Sequence, residues 1–200
     1  MGPVLDGNGM STRGAAAVLD IALLRWSGPP DVPPGSRSFA YHRQLAPMCA
    51  VLLALSVIEL GVVHLLVAHW SPTVATVLSA LSALGLVYLV GLIKSFRLRP
   101  VLLTADDVRV RTGFLIDLAV PFDAIATVDG SVTGDEVRGP GCFNAAMLAW
   151  PNVILRLKRA LPHPSKLRRG QGVSAVAFRL DDPEPFLRAL RSRLHEETWP

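Results

Sequence analysis

Two long apolar runs, Leu45 to Trp70 and Pro72 to Ile93, are joined by almost nothing, only Ser71 and Pro72 marking the junction. Each supplies about the ~20 residues that an α-helix needs to cross a ~30 Å hydrocarbon layer. A joint this short turns the second helix straight back, so the pair makes a helical hairpin with both flanking segments on one side of a membrane. Basic residues set the expected side. Arg37 and Arg43 precede the first run, Lys94, Arg97 and Arg99 follow the second, and the turn carries neither Lys nor Arg. The positive-inside rule then puts both termini in the cytoplasm, as a two-pass protein of the cytoplasmic membrane.

The apolar excess is local. Half of the 200 residues are hydrophobic and only 18% are charged, but most of that imbalance lies in residues 45–96. This leaves an N-terminal cytoplasmic segment, 1–44, and a region 99–195 long enough for a compact domain with its own core. In the N-terminal segment, Gly-rich residues 1–14 lack periodicity and read as disordered, and Ala15 to Trp26 suits a short amphipathic helix. Asp20 interrupts that apolar run, and Arg25-Trp26-Ser27-Gly28-Pro29 is a poor cleavage site, which argues against a signal peptide. Gly28 to Gly35 reads as a Pro-rich linker, with Phe39 and Tyr41 beside Arg43 as interfacial anchors for the first span. Cys49 lies in a span and Cys142 in the cytoplasmic region, so neither a disulfide nor a metal site is expected.

Beyond Pro100 the pattern changes period. Val101 to Thr104, Val108 to Arg111, Phe114 to Val120 and Ala126 to Val128 are strand-like, with a turn or single helical turn over Pro121 to Ile125. Gly130 to Cys142 is Gly-rich and irregular. Val153 to Lys158 and Val173 to Leu180 read as two more strands, separated by a basic loop. Helical spacing follows. Asp181 or Asp182 can cap, Pro183 suits the first helical position, and Phe186, Leu187, Leu190 and Leu194 form an apolar stripe with Arg188, Arg191 and Arg193 outside it. Strands followed by one amphipathic helix predict an α+β or mainly-β domain, an open barrel closed by its C-terminal helix, and disfavour an alternating α/β sheet.

The run from Arg99-Pro-Val-Leu-Leu-Thr-Ala-Asp-Asp-Val-Arg-Val-Arg-Thr-Gly-Phe-Leu115, with Val120-Pro-Phe-Asp-Ala-Ile-Ala-Thr-Val128, resembles the opening of the bacterial pleckstrin-homology-like domains. The resemblance extends over roughly residues 99 to 195. It implies a pair of transmembrane helices followed by a PH-like open barrel plugged by a terminal helix, and it brings no shared catalytic residues. Residues 130–151 depart from the strand-turn rhythm of such a domain.

Within the spans, Glu59 is the anomaly. An ionisable group at mid-membrane costs about 2.5–3.5 kcal/mol on insertion scales and is a functional candidate by default. In an antiparallel pair turning at Ser71 and Pro72, residues whose numbers sum to about 143 share a depth. His64 then lies beside Ser79 and Glu59 beside Leu84, with Ser82 and Tyr88 about a turn to either side. These five polar residues either serve a proton or ion path in an oligomer or bond the helices together, within one chain or across a homodimer. Glu59 and His64 are five residues apart and do not share a face well. Ala75, Ser79 and Ala83, at four-residue spacing, permit close helix approach.

Arg156, Lys158, Arg159, Lys166, Arg168 and Arg169 crowd into a stretch that holds no acid, with His163 between two prolines. The domain starts about seven residues after the second span, a reach of at most ~25 Å, so this cluster is either an anionic-lipid contact, gaining about 1 kcal/mol per basic residue, or a solvated loop. Basic and acidic residues nearly balance from 100 onward, and no nucleic-acid module is present, so nucleic acid is not an expected partner. Walker, dinucleotide, nucleophile-elbow and zinc spacings are all absent. The expectation is therefore a non-enzymatic, cofactor-free, membrane-anchored interaction module that meets membrane lipids, a protein partner or a second copy. A small proton- or ion-translocating subunit using Glu59 and His64 is the alternative.

Overall fold

A computed structural model of the chain describes residues 29–164 and 171–198. The expectations for residues 1–14 and for a helix over Ala15 to Trp26 lie outside those residues. The chain divides into two compact units, one containing Ala46–Ser95 and the other joining Pro30–Leu45 to Phe96–Pro200.

The first unit is a helical hairpin. Helix α1 spans Ala46–Trp70 and α2 spans Pro72–Leu98, with Ser71 alone between them. Both are long and apolar enough to cross a membrane. Their outer faces expose Val51, Leu55, Ile58, Leu65, Leu66, Leu81 and Leu84. Between the helices, His64 Nδ1 lies 2.7 Å from Ser79 Oγ, the pair that the depth rule sets side by side. Of the small-residue series, Ala75 is buried, Ser79 is half-buried and Ala83 is exposed, so close approach is confined to the part nearest the turn.

The second unit is sheet-rich, with no closed barrel. Its first sheet is the antiparallel series β1 (Arg37–Phe39), β2 (Val101–Leu103), β3 (Asp107–Thr112) and β4 (Ile116–Pro121). Phe39 pairs with Val101 and Arg37 with Leu103, so the hairpin is an insertion between two paired strands. This corrects the reading of Phe39 and Tyr41. The two are core residues, with 9% and 4% of their surface exposed, and not interfacial anchors. The Tyr41 hydroxyl accepts a 2.7 Å bond from the Gly113 N–H at the β3–β4 turn, where Gly113 takes a positive φ of 54° that suits glycine. Burial pushes the Tyr41 phenol up.

A single 3-10 turn over Phe122–Ala124 leads into the second sheet, ordered β5 (Ile125–Asp129), β7 (Val153–Pro162), β8 (Gly172–Phe178) and β6 (Cys142–Asn144). Strands β6 and β8 run parallel and the other pairs antiparallel. The stretch read as irregular holds a short helix, α3 (Gly134–Arg138), besides β6. Thr133 opens it, donating its N–H and hydroxyl to the Glu136 carboxylate at 3.0 and 2.8 Å. The T-x-x-E spacing of Thr133 and Glu136 was the signal for this helix start.

The C-terminal helix α4 (Glu184–Thr198) buries Phe186, Leu187 and Leu190. Phe186 meets Phe39 of the first sheet edge-on at 5.1 Å and Phe178 of the second at 5.6 Å. One aromatic thus joins the helix to both sheets. Asp181 does not cap this helix; its carboxylate accepts the N–H groups of Arg43 and Gln44 at 3.1 and 3.3 Å.

Candidate functional site

Arg156, Lys158 and Arg159 lie on β7, which runs on to Pro162, and not in a loop. Two of the three are already neutralised. Arg156 donates to Asp129 and to Glu136. Arg159 forks onto both carboxylate oxygens of Asp123, at 2.8 and 3.1 Å. Lys158 is exposed and forms no ion pair among the described residues. Lys166, Arg168 and Arg169 fall outside the described residues.

The Arg156 contact reshapes a titration. Its guanidinium, with the Thr133 donors, holds the Glu136 carboxyl down at about 2 from an ordinary 4.5. A carboxyl with a depressed folded pKa stabilises the fold above its unfolded pKa and loses that contribution as pH falls through the folded one. We expect chemical denaturation midpoints of the wild-type chain to drop between pH 4.5 and 2 more steeply than those of Glu136→Gln. Equal slopes in that window would remove Glu136 from the account.

Strand β5 is the end strand of its sheet and pairs only with β7. Ala126 is an extra residue in that pairing, so the ladder slips between Ile125 and Thr127 and is regular again from Thr127 to Asp129. Beyond the β7 ladder and the cap of the 3-10 turn, no backbone bond engages residues 125–129 among the described residues. Alongside this open edge lies a groove of about 610 Å³. Phe122 to Val128 form one wall and floor, Arg191, Leu194 and His195 of α4 the other wall, and Lys158 reaches in from β7. Asp123 is its one carboxylate among the described residues and is engaged by Arg159, so the lining is basic over an apolar floor.

A second cavity of about 540 Å³ holds Arg138, Cys142, His163 and Gln171. Burial, with Glu136 nearby, pushes the Cys142 thiol up, away from the thiolate a nucleophile needs. Phe143 stacks edge-on against His163 at 5.2 Å, which accounts for the ring's position. Elsewhere, Arg99, Arg109 and Arg111 converge on Asp117 at 3.7, 2.7 and 3.7 Å, and Arg111 also reaches Asp31 at 3.3 Å. Arg111 is buried, desolvation holds its pKa below the usual guanidinium value, and its Nε has no hydrogen-bond partner. This cluster pins the segment before β1 onto the first sheet. No group of three metal-ligating side chains occurs among the described residues.

In the hairpin, Glu59 is exposed and makes neither a hydrogen bond nor an ion pair among the described residues. Ser82 and Tyr88 lie on the exposed surface of α2. His64 and Ser79 are brought together, Nδ1 to Oγ. The groove residues of β5 and α4 escaped sequence reading because edge status is a property of strand order, which no local pattern records. Lys158 alone stands out in the sequence as a candidate site residue, and for its charge.

No family model, curated protein or solved structure matches the chain.

Proposed function

We propose that the chain is a two-pass protein of the cytoplasmic membrane with both termini cytoplasmic, and that its sheet-rich unit is a PH-like, non-enzymatic module binding a protein partner. The membrane reading rests on two helices whose apolar side chains face outward with no cover from the described residues. Soluble proteins rarely leave so large an apolar surface open. The PH-like reading rests on two four-stranded sheets with a terminal helix packed on both.

The observation that carries partner binding is the groove between the open β5 edge and α4. An unpaired strand edge is a template for another chain, and the lining pairs apolar floor with free charge. Lipid contact through the basic cluster is the weaker reading, because Arg156 and Arg159 already hold acidic partners. Transport is weaker too, since two helices enclose no path and His64 is bonded to Ser79.

Site-specific photo-crosslinking tests the partner reading. A photoreactive residue replacing Ala126, exposed in the groove, is expected to give a discrete adduct in membranes of expressing cells. The same residue at Ala119, exposed on β4, gives none. The adduct should vanish when Lys158→Glu and Arg191→Glu are combined. Equal adducts at both positions, or none at Ala126, would sink the proposal.

A further inference from the structure

We infer that the occupant of the β5–α4 groove is an acidic, extended segment of the partner, laid as an added strand along Thr127 to Asp129 with its carboxylates on Lys158 and Arg191. This rests on the partner-binding reading above and goes further, naming the chemistry of what is bound.

The backbone requirement comes first. A helical segment has already spent its backbone donors and acceptors internally and offers none to an open edge. An extended segment presents both at strand spacing. The bulge at Ala126 restricts regular pairing to the three residues beyond it. Three-residue ladders are already in use in this unit, between β1 and β2 and between β6 and β8.

Charge then selects among extended segments. Lys158 and Arg191 are exposed and hold no acid among the described residues. Asp123, the groove's carboxylate, is taken up by Arg159. Among the described residues, a basic segment would therefore meet two cations that hold no acid, and no free anion. An acidic one gains charge-assisted bonds to both.

The alternation of a strand supplies the rest. Successive side chains point to opposite faces, so a segment alternating apolar and acidic residues sets one series against half-buried Leu194 and exposed Ala126 and offers the other to the basic rim. A lipid headgroup would match the charges but leave the strand edge unpaired.

The test uses the full chain in detergent micelles and fluorescence anisotropy. The probes are labelled peptides of about nine residues: Glu alternating with Val or Thr, a Lys counterpart, and Glu versions N-methylated at every second amide in either register. The Glu peptide is expected to bind about tenfold more tightly than the Lys peptide, and one N-methylated register should abolish binding. Combining Lys158→Gln with Arg191→Gln should weaken the Glu peptide by about tenfold, with the circular dichroism spectrum unchanged. Equal binding of Glu and Lys peptides overturns the charge assignment. Equal binding of both N-methylated forms overturns the added strand. Displacement of the Glu peptide by phosphatidylglycerol vesicles, but not by phosphatidylcholine vesicles, would give the groove to headgroups and overturn the inference. The photo-crosslink at Ala126 separates the two levels. An adduct that forms while peptide binding ignores charge and N-methylation leaves partner binding standing and removes this inference alone.

Discussion

Phe186→Ala is expected to destabilise the sheet-rich unit by about 3–5 kcal/mol, the usual cost of removing a buried Phe ring, and the largest effect of any single substitution considered. The ring is fully buried. It bridges Phe39 on β1 and Phe178 on β8, so its loss opens a cavity where helix and both sheets converge. Strand β1 has just three residues and one neighbouring strand, which leaves it dependent on that contact. Limited proteolysis should therefore cut near residues 37–41 in the variant and spare the wild type. A variant matching the wild type in proteolysis and denaturation midpoint would show that α4 does not hold the sheets together.

Asp117→Ala comes second, at about 3 kcal/mol, because it strips one partner from a buried cation. Arg111 is left with Asp31, which is 62% exposed at its side chain, while Arg99 and Arg109 lose the carboxylate between them. Combining Asp117→Leu with Arg111→Leu should cost less than Asp117→Ala alone, since apolar replacement of a buried pair is often near neutral. The double-mutant comparison of urea midpoints reads this directly. Additive losses would mean the two residues do not act as a pair.

Much of the second unit is legible in its sequence because its strands are local. The first half of β3 alternates, with Val108 and Val110 inside and Arg109 between them, and α4 carries its apolar stripe at helical spacing. The hairpin yields even a contact, since a one-residue joint fixes depth and sets His64 against Ser79. Strand β1 is hidden for the opposite reason. It is three residues long, its partner lies beyond both apolar helices, and aromatics beside an arginine before a span look the same whether they face headgroups or a core. Arg156 misleads similarly. Its charge is visible in the sequence, but the acids that neutralise it come from β5 and α3, brought near only by the fold. Glu59 makes no hydrogen bond or ion pair among the described residues, because shared depth alone does not supply a bonding partner.

The central claim is that a membrane hairpin, inserted between paired strands, holds a cytoplasmic interaction unit. Cysteine labelling tests it most directly. With Ser71→Cys and, separately, Ser192→Cys, an impermeant maleimide applied to intact expressing cells should modify position 71 from outside and position 192 only after permeabilisation. Modification of position 192 in intact cells, or of position 71 only after permeabilisation, would contradict the account.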